Sequence, residues 1–149
     1  MAPTMMKGSL PVVTASGSGA SAGSCDRSSA QAKNRSNAVF LGLCNNGGDL
    51  DSGFRSNAGD YNPNASSVVV TFTVVQADGT TLGSVSHTFL ANEAYQFNDI
   101  FAKAGVGSTV TLNAVLKVTS SMPVFSYATI LDNQSGDQVY ALAFTDPAP

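Results

Sequence analysis

The stretch "SSVVVTFTVVQADGTTLGSVSHTFL", Ser66 to Leu90, decides the fold. Val68, Val70, Phe72 and Val74 fall on one side of an extended chain, and Val69, Thr71, Thr73 and Val75 on the other. A side-chain period of two belongs to a strand with at least one buried face. Asp78-Gly79 follows, a dipeptide that supplies the positive φ of a tight hairpin. The return strand "LGSVSHTFL", 82–90, puts Val85, His87 and Phe89 on one side. This hairpin sets the local class as antiparallel β.

Working outward, the same punctuation recurs. "AVFLGLC" at 38–44 reads as a short buried strand, and "NNGGDLDSG" at 45–53 as a loop carrying Asn-Gly and Gly-Gly turn signals. "FRSNAGDYNPN" at 54–64 is a strand ended by Asn62-Pro63. "EAYQFND" at 93–99 is a short strand, with Asn98 placed to cap the helical turn "DIFAKAG", 99–105. In "VTLNAVLKVT", 110–119, the alternation predicts Val110, Leu112, Ala114, Leu116 and Val118 inward, and Thr111, Asn113, Lys117 and Thr119 outward. "PVFSYATIL" at 123–131 and "DQVYALAF" at 137–144 complete the set. Seven or eight short strands and no useful helical pattern predict an all-β, antiparallel sandwich of immunoglobulin-like size. A jelly roll or small barrel is the other architecture of this pattern. With no Trp there is no Cys–Trp–Cys spacing, so an antibody-type domain is excluded.

Residues 1–37 read as a separate extended arm, and residues 38–149 as the sandwich domain. "ASGSGASAGS" at 15–24 has linker composition. Within the arm, "SLPVV" at 9–13 is a strand-like patch whose Leu10, Val12 and Val13 are candidate partner-binding residues.

The chain of 149 residues fits one domain with a real core. Hydrophobic residues at 43% exclude a disordered chain, while charged residues are only 11%, against about 25% in an ordinary soluble domain. A polar face of Thr and Ser in place of Lys and Glu suits an extracellular or cell-surface β-protein. Residues 1–40 carry Lys7, Arg27, Lys33 and Arg35 against Asp26, a net +3; the rest carries Arg55, Lys103 and Lys117 against nine acids, a net −6. A basic arm on an acidic body reads first as a solvated tail; pairing with the body of a neighbour is the other reading. The acidic body has no basic stripe for nucleic acid. No apolar run is long enough for a membrane span. The start lacks the long apolar region of a signal peptide, which reads as a processed or excised form; a cytoplasmic location is the other explanation.

Cys25 and Cys44 are the two cysteines. No Cys-x-x-Cys or His pair accompanies them, so a zinc site is not expected. In an oxidising compartment they form a disulfide tying the arm to the first strand, worth about 3 kcal/mol in the chain-entropy model. Two free thiols are the other reading.

Three phrases together carry a resemblance. "FRSNAGDYNPNASSVVVTFTVVQADGTTLGS", "FNDIF" at 97–101 and "VTSSMPVFSYATILDNQSGD" at 118–137 resemble blocks of a β-sandwich module recurrent in secreted and surface proteins of bacteria. The likeness covers about residues 38–144 and leaves out the arm. It implies a sandwich module with no assigned catalytic activity, so no functional residue is carried over.

The chemistry-bearing residues are sparse. His87, the single histidine, sits mid-strand and reads as a packing residue. No Gly-x-Ser-x-Gly elbow supports a Ser-His-Asp triad, and the arm offers Cys25 no organised base. Nothing brings two of Asp49, Asp51, Asp60, Asp99, Asp132 and Asp137 into one cleft for glycoside chemistry. An enzyme is therefore not expected, nor a cofactor. Calcium is the most plausible ion, with Asp49 and Asp51 as candidate ligands beside Asn45 and Asn46, although the loop is not an EF-hand. The cluster "DNQSGD", 132–137, is explained by turn chemistry alone. Tyr127 and Tyr140 lie where a hairpin would pair them; packing into the core or against cross-strand neighbours is the first reading, and a flat platform for a sugar, if both face outward, the second. Asn34, Asn64 and Asn133 stand in Asn-x-Ser sequons, which matter only in a glycosylating host. The leading expectation is a non-catalytic extracellular or surface structural module, used for adhesion or assembly and joined into filaments by donating its N-terminal strand to a neighbour. A carbohydrate-binding accessory module of a larger exported protein is the alternative.

Overall fold

The structure is a computed structural model that describes residues 34–145. Eight strands and one helical turn follow one another: β1 (Asn34–Asn46), β2 (Phe54–Tyr61), β3 (Val68–Val75), β4 (Thr81–Phe89), β5 (Ala94–Phe97), α1 (Ile100–Lys103), β6 (Val110–Asp132), β7 (Gln138–Tyr140) and β8 (Ala143–Phe144). Every ladder is antiparallel. This is the all-β antiparallel sandwich that the alternation predicts. The arm, with Leu10, Val12, Val13 and Cys25, lies outside the described residues, as do residues 146–149.

One strand belongs to both layers. The first part of β6 pairs with β3 (Val75↔Val115 to Val70↔Ser120) and, on its other side, with β1. Its second part pairs with β2 (Phe125 to Asp132) and with β7. One layer is thus β4-β3-β6-β1-β8 and the other β5-β2-β6-β7. The two strands expected at 110–119 and 123–131 are therefore one continuous strand of 23 residues. It changes layers around Ser120–Pro123, where β3 has stopped pairing and β2 has not begun. Proline, which has no N–H to give a ladder, fits at such a corner. Ser120 steadies it by donating its hydroxyl to the Met122 carbonyl at 2.7 Å.

Packing between the layers pairs large with small. Phe40, Leu43, Val70, Phe72, Val74, Phe89 and Leu116 are fully or almost fully buried on the first layer. They face Ser56, Ala58, Ser126 and Ala128 on the second. Phe72 meets Phe97 edge to face across the gap, with ring centroids 5.4 Å apart. α1 closes one side by inserting Ile100 and Phe101, both fully buried.

Four local expectations change. β1 begins at Asn34, so pairing reaches into the stretch read as arm. The helix cap is Asp99, not Asn98: Asp99 takes a left-handed φ of 60° and its carboxylate accepts the Ala102 N–H at 3.0 Å. Asn98 is occupied elsewhere, accepting from the Gln96 amide at 2.6 Å. Val110 and Leu112, expected inside, are 71% and 72% exposed. The reason is a bulge: Leu43 pairs with Ala114 but Asn45 with Thr111, so β6 has one extra residue here and its alternation slips. Finally, the last strand is broken in two. Ala141 donates to the Ala128 carbonyl beside β7, and the chain then crosses to pair with β1 as β8.

Candidate functional site

The acidic loop and the "DNQSGD" turn are brought together. Asn133, at the tip of the turn, donates to the Asp49 and Ser52 carbonyls at 3.0 Å each, and accepts from Arg55 Nη1 at 2.8 Å. Its own N–H donates to the Gly53 carbonyl. The Asp49 carboxylate is turned onto its own loop: it accepts the Ser52 hydroxyl at 2.6 Å and the Asp51 N–H at 2.9 Å. The Ser52 hydroxyl, then the Asp51 N–H, hold it below the usual carboxylate range. Asp132 works alike, accepting the Gln134 N–H at 2.8 Å, while Gly136 supplies a φ of 78°. The two calcium candidates therefore differ. Asp49 is committed to the loop, Asp51 is exposed, and Asn45 points away to the Gly107 and Thr109 carbonyls. Among the described residues no group of three or more His, Cys, Asp or Glu converges on one point.

Cys44 is half-buried and forms no disulfide among the described residues, and burial raises its thiol pKa above the ordinary value. It sits over the Leu112 carbonyl at 3.5 Å. Its backbone N–H and C=O are both taken by the Ser56 hydroxyl, at 2.9 and 2.8 Å. The expected disulfide partner, Cys25, lies outside the described residues.

His87 packs in the mouth between the layers. Its ring stacks on Tyr95 (4.5 Å, 13°) and meets Phe89 edge to face at 4.7 Å. Glu93 Oε1 stands 3.6 Å from His87 Nε2, while Glu93 Oε2 accepts the Leu90 N–H at 2.6 Å. The neighbouring surprise is Asp60. It is fully buried on the inner face of β2, and neither carboxyl oxygen has a hydrogen-bond partner. Burial pushes its pKa up to about 7. Ser126, opposite it on β6, pulls weakly the other way without a hydrogen bond of good geometry. Strand parity was the signal for this residue: Ser56, Ala58 and Asp60 share one side of β2.

Tyr127 and Tyr140 do share a face. Tyr127 stands opposite Gly59, and Tyr140 opposite Thr129, two residues further along β6. Tyr127 reaches across β2, where a Cβ on Gly59 would come within 2.7 Å of its hydroxyl, and donates to Gln96 Oε1 at 2.8 Å. Burial, then the nearby Tyr140 and Asp60, raise its pKa. Further along the same face Tyr61 stacks on Phe125, with centroids 6.3 Å apart. Both candidate tyrosines are half-buried, so the row is a partly sunken face.

An open groove with apolar residues on its wall lies at the far end. β3 stops at Val75, opposite Val115, whereas β6 begins five residues earlier at Val110. Over 110–114 the strand has β1 on one side and, among the described residues, no strand on the other. The Asn113 N–H turns to the Thr111 hydroxyl of its own strand, 3.3 Å away. Between this overhang and the turn at Gln76, Ala77 and Asp78 runs a groove of about 420 Å³, with Val110 and Leu112 on its wall. Sequence alternation concealed it, because a bulge cannot be seen in a period of two.

No protein-family model matches the chain, and neither does a curated protein sequence. Solved structures do. The Anabaena sensory rhodopsin transducer is similar over 66% of this chain and 90% of its own, at TM-score 0.50 and 15% identity. Thermotoga maritima 1070 is similar over 76% of this chain and 97% of its own, at TM-score 0.51 and 13% identity. At these identities the likeness concerns the fold alone, and it agrees with the β-rich architecture described above.

Proposed function

We propose that this chain is a non-catalytic structural module, active outside the cell or on its surface, that binds other proteins and foremost copies of itself. The observation that carries this reading is the overhang of β6: an unpaired strand edge beside a valine and a leucine that are more than two-thirds exposed. Unpaired edges are the places where sheets add strands. The polar residues that looked chemical have structural tasks instead, with Asp49 and Asp132 holding turns, Asp99 capping α1 and His87 stacked on Tyr95. The resemblance to a surface module supports the same reading, as do the low charge and the Thr-rich outer faces. Assembly proceeds by donation of the strand-like patch at 9–13. Deleting residues 1–20 is the test: the shortened chain is expected to stay monomeric by light scattering, at concentrations where the full chain associates. Assemblies of unchanged size would refute donation.

The shared face of Tyr127 and Tyr140 supports a second reading, a carbohydrate-binding accessory module. Its test is a glycan array with the wild type and Tyr140→Ala. Flat responses from the wild type on every sugar end it.

A further inference from the structure

We propose that the groove between the β6 overhang and the Gln76–Asp78 turn takes residues 9–13 of a second copy as an added strand, antiparallel to β6. The inference rests on the assembly reading above and names its acceptor.

The fit is argued from spacing, charge and position. Among the described residues the free edge of β6 runs over 110–114; in the antiparallel register, Ser9, Leu10, Pro11 and Val12 of "SLPVV" lie opposite Asn113, Leu112, Thr111 and Val110, and Val13 lies just past its end. Its two exposed apolar residues, Val110 and Leu112, are two positions apart, as are Leu10 and Val12. In an antiparallel pair Leu10 lies opposite Leu112, and Val12 opposite Val110, so each apolar side chain meets another across the ladder. Pro11 then falls opposite Thr111. An added edge strand tolerates a proline, because one of its sides faces solvent. The same direction brings Lys7 to the Gln76–Asp78 turn and its exposed Asp78 carboxylate, which also accepts the Thr80 N–H at 2.8 Å. In the reverse direction Lys7 would leave from the opposite end of the groove, away from Asp78.

The donor is assigned to a neighbour, with the chain's own arm as the competing source. The arm joins the body at Asn34, opposite Phe125, whereas the groove lies at the other end of β1, where Asn46 pairs with Val110. A strand of that length spans about 40 Å. The 20 residues between the patch and Asn34 can cover that distance by running back along the body, so growth with concentration, against a compact monomer, is what identifies a neighbour as the donor. Donor and acceptor patches differ, so the contact is heterologous and propagates from copy to copy, as an open chain unless its rotation closes a ring.

The test uses the full-length chain in reducing buffer, so that Cys25 and Cys44 do not alter the tether. Leu112→Lys blocks the acceptor and Val12→Lys the donor. Leu112 is exposed, and Val12 lies outside the described fold; far-UV circular dichroism checks that both variants fold. Sedimentation velocity is expected to show concentration-dependent growth for the wild type and at least tenfold weaker association for each variant alone. Mixed, the two are expected to form a 1:1 pair that grows no further, because one donor and one acceptor remain. Asp78→Lys is expected to weaken assembly, and Lys7→Asp in the same chain to restore part of it. If Val12→Lys abolishes assembly while Leu112→Lys matches the wild type, the groove is the wrong acceptor and strand donation stands. If Leu112→Lys abolishes assembly while Val12→Lys does not, the occupant is wrong. A wild type that stays monomeric throughout overturns both.

Discussion

Asp60 places a carboxyl group where the sandwich offers it no partner. In the unfolded chain it ionises near pH 4, as aspartates do. In the folded protein it keeps its proton up to about pH 7. Between those limits the folded state binds a proton that the unfolded state has released, so stability falls as pH rises. The Asp60 contribution is greatest below about pH 4, declines to about pH 7 and is flat beyond, with a loss on the order of 4 kcal/mol. Urea midpoints from pH 4 to pH 8 are expected to trace this decline, and Asp60→Asn to flatten it and stabilise the protein at neutral pH. A profile of Asp60→Asn parallel to the wild type would rule this out. Next to Asp60, Gly59 has a different constraint. An alanine Cβ there would stand 2.6 Å from the Tyr95 carbonyl oxygen as well as against the Tyr127 ring. Gly59→Ala is expected to cost about 1–3 kcal/mol in chemical denaturation, the usual range for overpacking.

At the scale of elements, two loops are held by one side chain. Asn133 makes bonds to Asp49, Ser52 and Arg55 that an alanine cannot replace. Asn133→Ala is expected to destabilise by about 1–3 kcal/mol and to speed amide exchange over residues 47–53, leaving the β3–β4 hairpin protected. That hairpin was fully legible in the sequence, because Val68, Val70, Phe72 and Val74 alternate without interruption and all four are completely buried. β6 was legible only in pieces. Pro123 looked like a boundary, yet it is the corner at which one strand passes between layers. The slip at Leu112 was hidden for a related reason: register depends on how many residues the partner strand spends, and β1 is far away in sequence. Asp60 escaped because a carboxylate two residues before Asn-Pro looks like turn chemistry until the opposite layer covers it. For the tyrosine pair the sequence offers only positions compatible with a hairpin; its depth depends on Gly59 and Gln96, which no local pattern connects to Tyr127.

For the whole molecule the governing asymmetry is electrostatic, a net +3 over residues 1–40 against −6 over the rest. Attraction between solvent-exposed charges is screened by salt, with a Debye length near 10 Å at about 0.1 M and 3 Å at about 1 M. If arms bind neighbouring bodies, raising sodium chloride from about 0.05 M to about 0.5 M is expected to slow association in stopped-flow scattering far more than dissociation. An association rate indifferent to salt would remove the electrostatic part of the argument. One consequence of the β1–β6 ladder is mechanical. The described chain begins at Asn34, and β8 runs back toward that same end beside Val39, so tension between those two points would peel a two-residue strand. Tension between Asn34 and the groove at Val110 acts on opposite ends of two antiparallel strands paired almost along their full length. It would load the whole ladder in shear, all bonds at once. The stiff axis of the module is therefore the line along which copies would be strung.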